Sequence, residues 1–114
     1  MFAVIFEAEP FPDCQQRYLK LAAELKPLLA DIEGFISIER FQSLSQPEKI
    51  LSLSWWRDEE AVLTWRRQTE HCAAQQEGRN SIFSHYRLRV ASVVRDYSKT
   101  EREQAPVKDD CCHG

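Results

Sequence analysis

A chain of 114 residues with 43% apolar side chains, 29% charged side chains and a net charge of −3 has the size and make-up of one globular domain, with no room for a second core. The weak negative charge and the arginines interspersed with acids exclude the basic stripe that a phosphate backbone requires, so nucleic acid is not an expected partner. No apolar run reaches the roughly 20 residues of a membrane span and the N-terminus lacks a signal-peptide pattern, so no membrane partner and a cytoplasmic location are expected.

The first apolar segment, FAVIFEAE (residues 2–9), is rich in β-branched and aromatic side chains and is closed by PFPD, which predicts a strand. A helix follows. Asp13 is placed to cap it, with Gln16 at the capping-box position, and Tyr18, Leu21, Ala22, Leu25, Leu28, Leu29 and Ile32 recur at helical spacing. Pro27 removes a backbone donor and crowds the preceding turn, predicting a kink or break near Lys26 before Gly34 ends the segment. FISIERFQ (35–42) and KILSLSWW (49–56) read as two antiparallel strands joined by the loop SLSQPE.

The acids Asp58, Glu59 and Glu60 suit a helix N-terminus, and Ala61, Val62, Trp65, Thr69, Cys72 and Ala73 continue along one face until Gly78. YRLRVASVVRDY (86–97) alternates arginine with apolar residues, as a strand with two differently used faces would. The order strand, helix, strand, strand, helix, strand predicts a ferredoxin-like α+β fold with a four-stranded antiparallel sheet and both helices on one face. Residues 1–98 are expected to form the domain, and residues 99–114 a charged tail. The first strand carries apolar groups on both sides, Phe2, Val4 and Phe6 against Ala3 and Ile5, so the face without helices needs a cover. A second copy packed sheet to sheet is the simplest one, predicting a homodimer.

The segments ISIERFQS, ILSLSWWRDEEAV and YRLRVASVVRDY, with the spaced set Trp65, His71, Ala74, Gln75, Gly78 and Arg79, resemble the antibiotic biosynthesis monooxygenase (ABM) family over roughly residues 1–98. The resemblance implies a two-fold dimeric α+β barrel with a pocket between the helices and the sheet. It also implies a choice of chemistries, because fold does not determine function: cofactor-independent oxidation of aromatic polyketides, or haem degradation. The haem-degrading pattern places an asparagine on the first strand, a tryptophan on the second helix and an iron-ligating histidine beyond it. Here the matching positions read Glu7, Trp65 and Gln75, and a carboxylate and an amide do not replace the first and last groups. Relatives with HPEH or LPEH have QTEH here, so His71 is kept and a first histidine is absent.

Within that frame His71 and Glu7 are the candidate catalytic groups, and Trp65, Arg79, Phe83 and Tyr86 the candidate substrate contacts. His71 has the near-neutral pKa of a general base, although its predicted helix face is polar and a solvated or capping histidine fits equally. Trp65 lies about 120° from His71 on a continuous helix and reads either as a core ring or as a stacking wall for a flat substrate. A carboxylate on a central strand must be paired or open to a cavity, so Glu7 is either a substrate-facing acid or the partner of Arg40, Arg87 or Arg89. Arg79 could neutralise an enolate or anchor its loop onto Phe83 and Tyr86. The cysteines (Cys14, Cys72, Cys111, Cys112) resemble no secreted framework and read as reduced thiols; Cys111, Cys112 and His113 make an incomplete metal site, so no metal is expected.

Two functions follow. One is a monooxygenase without metal, flavin or other cofactor that acts on a small aromatic, phenolic or quinone-type molecule. The other is a non-catalytic dimeric protein that binds such a molecule.

Overall fold

The structure is a computed structural model that describes residues 1–70 and 82–106. Strand β1 (Phe2–Pro10) is followed by a 3-10 turn (Pro12–Cys14), helix α1 (Gln15–Ala30), strands β2 (Phe35–Gln42) and β3 (Ile50–Trp56), helix α2 (Glu59–Glu70) and strand β4 (Phe83–Ser92). The four strands form one antiparallel sheet in the order β2-β3-β1-β4. This is the ferredoxin-like arrangement, with the first and third strands central, α1 linking β1 to β2 and α2 linking β3 to β4.

Register decides what each side of the sheet carries. Val4 and Trp56 pack with Leu29 of α1 and Ile32 just after it, and with Ala61 and Val62 of α2. Both helices therefore cover the side that bears Val4. Along that side, one row runs Phe35, Trp56, Phe2, Ser92, and another runs Arg40, Ser52, Phe6, Leu88. A further row runs Gln42, Ile50, Ala8, Tyr86. The opposite side carries Ala3, Ile5 and Glu7 of β1 against Trp55, Leu53 and Leu51 of β3.

Three local expectations are corrected. Asp13 does not cap α1: the N-cap is Cys14, without a side-chain bond, because Pro12 to Cys14 wind into a 3-10 turn first. Of the kink or break expected at Pro27, the break does not occur, and the helix runs on to Ala30. A proline this close to the C-terminus forfeits a single intrahelical bond, and burial of Leu29 beyond it holds the last turn in place. The chain then leaves through two tight turns, Ile32 N–H to Leu29 O and Phe35 N–H to Ile32 O. Strand β4 spans Phe83–Ser92 instead of 86–97, because β1 offers partners only from Pro10, opposite Phe83, to Phe2, opposite Ser92.

Gly34 takes φ +92, a region open to glycine, and a Cβ there would lie 2.7 Å from that of Ala61. Its carbonyl accepts the Arg57 N–H at 2.7 Å. This close approach seats the first turn of α2 against the start of β2. Asp58 caps the helix by accepting the Ala61 N–H at 2.9 Å and is also paired with Arg57 Nε at 3.2 Å. The backbone bond and the adjacent guanidinium hold its carboxyl below the ordinary carboxylate value.

Candidate active site

The helix-covered side of the sheet carries two aromatic groups. At one end, Trp56 is fully buried and its indole N–H donates to Ser54 Oγ at 2.9 Å. Trp65 of α2 stacks on it, with ring centroids 5.2 Å apart and planes 22° apart, and Phe35 meets it edge-on at 5.2 Å. Offset stacking of this kind fixes α2 on the sheet through dispersion and quadrupole contacts. The period of α2 explains the pairing: Val62 and Trp65 share a face, and Val62 is itself core.

At the other end, Phe83 of β4 meets Phe6 at 5.7 Å, Tyr18 at 5.3 Å and Tyr86 at 5.8 Å. The Phe2–Trp56 and Ala8–Ile50 rows are six positions apart along β1, or roughly 20 Å at strand rise. Between them lie the rows Ile38, Ser54, Val4 and Arg40, Ser52, Phe6, Leu88. Arg40 is the exception in charge. Its Nε is buried and has no hydrogen-bond partner.

Glu7 sits on the other side of the sheet. It faces away from Trp65, Phe83 and Tyr86, and its carboxylate receives Arg89 Nη1 at 3.1 Å and Lys49 Nζ at 3.7 Å. Of the arginines expected to pair with it, Arg89 does so. Arg40 lies on the helix side, opposite Ser52, because the register of β2 shifts between Phe35 and Ser37. That bulge sets Phe35, Ile38 and Arg40 on one side together, which simple alternation along FISIERFQ does not reveal.

The structure therefore brings Trp65, Phe83 and Tyr86 to one side of the sheet and separates Glu7 from them. His71 and Arg79 lie outside the described residues, as do Cys72, Gln75, Gly78, Cys111, Cys112 and His113. Among the described residues no group of three or more His, Cys, Asp or Glu side chains is placed to hold a metal ion. Burial, then the neighbouring Asp13, pushes the Cys14 thiol above its ordinary value, which keeps it protonated and a poor nucleophile. Likewise, no described helix is long and apolar enough to cross a membrane. The sequence suggested Arg40 only as a partner of Glu7; the signal for another role was a cation inside a strand whose neighbours Ile38 and Phe41 are apolar.

Known proteins share this fold. The sequence model of the family described as antibiotic biosynthesis monooxygenase matches residues 1–77. A jasmonate monooxygenase of Pyricularia oryzae is 44% identical over 109 residues, which cover 96% of this chain and 51% of the relative. An uncharacterized Bacillus subtilis protein, YqjZ, is 32% identical over 82% of this chain and 80% of its own length. Among solved structures, a MhuD mutant with two manganese protoporphyrin IX molecules bound per active site superposes with a TM-score of 0.68 at 17% identity, covering 86% of this chain and 99% of that one. At that identity the likeness concerns the fold alone. This chain spans about half the length of the Pyricularia relative.

Proposed function

Because this chain belongs to the antibiotic biosynthesis monooxygenase family, we propose that it is a monooxygenase acting on a small ring-bearing molecule held between the helices and the sheet, with no metal or flavin. The observation that carries this reading is the 44% identity, across 96% of the chain, to a protein named as a monooxygenase. Jasmonate, the substrate in that relative's name, is a cyclopentanone. It widens the expected substrate from phenols and quinone precursors to cyclic ketones with an acidic C–H.

The proposed chemistry suits such molecules. A base removes a proton beside the carbonyl, and the carbanion reacts with O2 to give a hydroperoxide. Loss of water then leaves a new carbonyl, so that one oxygen atom enters the product and the other leaves as water. The protein contributes orientation and exclusion of solvent from the carbanion. Trp65 and the Phe83–Tyr86 pair supply flat apolar walls, and Arg79 a positive charge for the enolate. We assign the base to His71, since Glu7 faces the other way and is occupied by Arg89 and Lys49.

The uncovered side of the sheet supports assembly as a homodimer. Ile5, Leu51, Leu53 and Trp55 form an apolar patch there, with the Glu7 ion pairs beside it. Phe41, opposite Leu51 on β2, is 43% exposed. An apolar sheet face of this kind is what a second copy would bury. Sedimentation equilibrium at micromolar concentration is expected to report a dimer.

The test of activity is oxygen uptake over a panel of hydroquinones, anthrone-like phenols and cyclic ketones. Wild-type protein is expected to consume O2 with at least one class, and His71→Ala to lose about 100-fold in kcat, the usual contribution of a positioned base. Saturable binding without O2 uptake across the panel would assign the chain to the binding proteins instead.

A further inference from the structure

Among the described residues, no ion pair meets Arg40. It lies on the helix-covered side of β2, opposite the buried Ser52, in the row that continues to Phe6 and Leu88. Its Nε is sequestered from solvent without a hydrogen-bond partner. The inward residues of α1 above the sheet are Tyr18, Ala22 and Leu29, which are buried and carry no carboxylate, whereas Glu24 points to solvent. On the far side of the sheet, by contrast, Arg89 is paired with Glu7.

A guanidinium nitrogen sequestered without a partner is costly unless an acceptor meets it, and the planar fork matches a carboxylate in two parallel bonds. We propose that Arg40 is the substrate anchor of this site and that the substrate is a small carboxylic acid with an apolar, ring-bearing body. The carboxylate would lie against the Arg40 fork with the Ser52 hydroxyl beside it. The body would extend over Phe6, Val4 and Leu88 toward Trp65. This inference rests on the reading that ligands bind between the helices and the sheet, and it deepens that reading by fixing which end of the ligand is charged and where. Arg40 would act as a specificity determinant, leaving proton transfer to another group.

The experiment compares jasmonic acid with its methyl ester, which share one body and differ in charge. Binding to the full chain is measured by titration calorimetry and by quenching of tryptophan fluorescence, and O2 uptake is followed on the same samples. Wild-type protein is expected to bind the acid at least about tenfold tighter than the ester, the scale of a hydrogen bond to a charged group. Arg40→Met should lose that preference while its affinity for the ester is unchanged, and Arg40→Lys should fall between, because an ammonium cannot fork. Equal binding of acid and ester by wild type, binding of neither, or an acid preference that survives in Arg40→Met would each overturn the proposal. Should Arg40→Met fail to fold, the acid-to-ester ratio of wild type and of Arg40→Lys decides. The two readings separate: an Arg40-dependent acid preference without O2 uptake keeps the anchor and removes the oxygenase, and equal O2 uptake on both compounds does the reverse.

Discussion

The stack of Trp65 on Trp56 joins α2 to the sheet, and a double-mutant cycle measures what it contributes. Trp56 is 0% exposed, and full truncation of such a ring costs about 3–5 kcal/mol. Trp56→Leu keeps part of the apolar volume, so a loss of about 2–3 kcal/mol is expected. Trp65 is half-buried, and Trp65→Leu should cost about 1–2 kcal/mol in lost burial. Both single variants then stay within a typical stability of about 5–15 kcal/mol. With centroids 5.2 Å apart and planes at 22°, the ring pair should add a coupling of about 0.5–1.5 kcal/mol beyond area. Urea unfolding followed by far-ultraviolet circular dichroism gives all four free energies without relying on the fluorescence of the removed rings. Costs that add to within about 0.3 kcal/mol would refute the reasoning, because contacting rings cannot be energetically independent. In the same variants, Trp65→Leu should raise KM more than it lowers kcat if this ring is a wall of the site.

Gly34→Ala should destabilise by about 2 kcal/mol or more, since a positive φ and a crowded Cβ act together, and Ala61→Gly in the same chain should restore part of that loss; an unchanged urea midpoint would contradict the close approach. Asp58→Ala should lower the thermal midpoint at neutral pH. The carboxyl's folded pKa lies below its ordinary value of 3.8, so its stabilisation is complete above that value and is lost as pH falls through the lower, folded one. Melts of wild type and variant are therefore expected to converge as pH falls below the folded value, and a constant gap from neutral to acid would argue against the cap. Glu7→Gln removes two partly exposed ion pairs and should change monomer stability by less than about 1 kcal/mol. Its O2 uptake should match wild type, and a loss comparable to that of His71→Ala would return Glu7 to the chemistry.

The order of elements was legible because each segment agreed locally with its fate. Alternation in FISIERFQ, the acidic start of α2 and the Val62–Trp65 spacing are properties of neighbours in the chain, and periods of two and 3.6 follow directly from backbone geometry. Family membership was legible for the same reason, through short motifs that lie within single elements. The ends of elements were less so. Pro27 reads as a breaker until the burial of Leu29 outweighs one missing hydrogen bond, and the end of β4 is set by β1, a strand some 80 residues away.

The site shows the same division. The sequence by itself named Trp65, Phe83 and Tyr86 as aromatic candidates, but which side of the sheet each strand residue faces was decided by pairing. One extra residue in β2, between Phe35 and Ser37, turns Arg40 toward the helices. The separate pairing of β1 with β4 leaves Glu7 on the other side, bonded to Arg89. Local chemistry chooses strand or helix, whereas register is fixed by contacts between segments far apart in sequence, and a shift of one position moves a charge from one face of the sheet to the other.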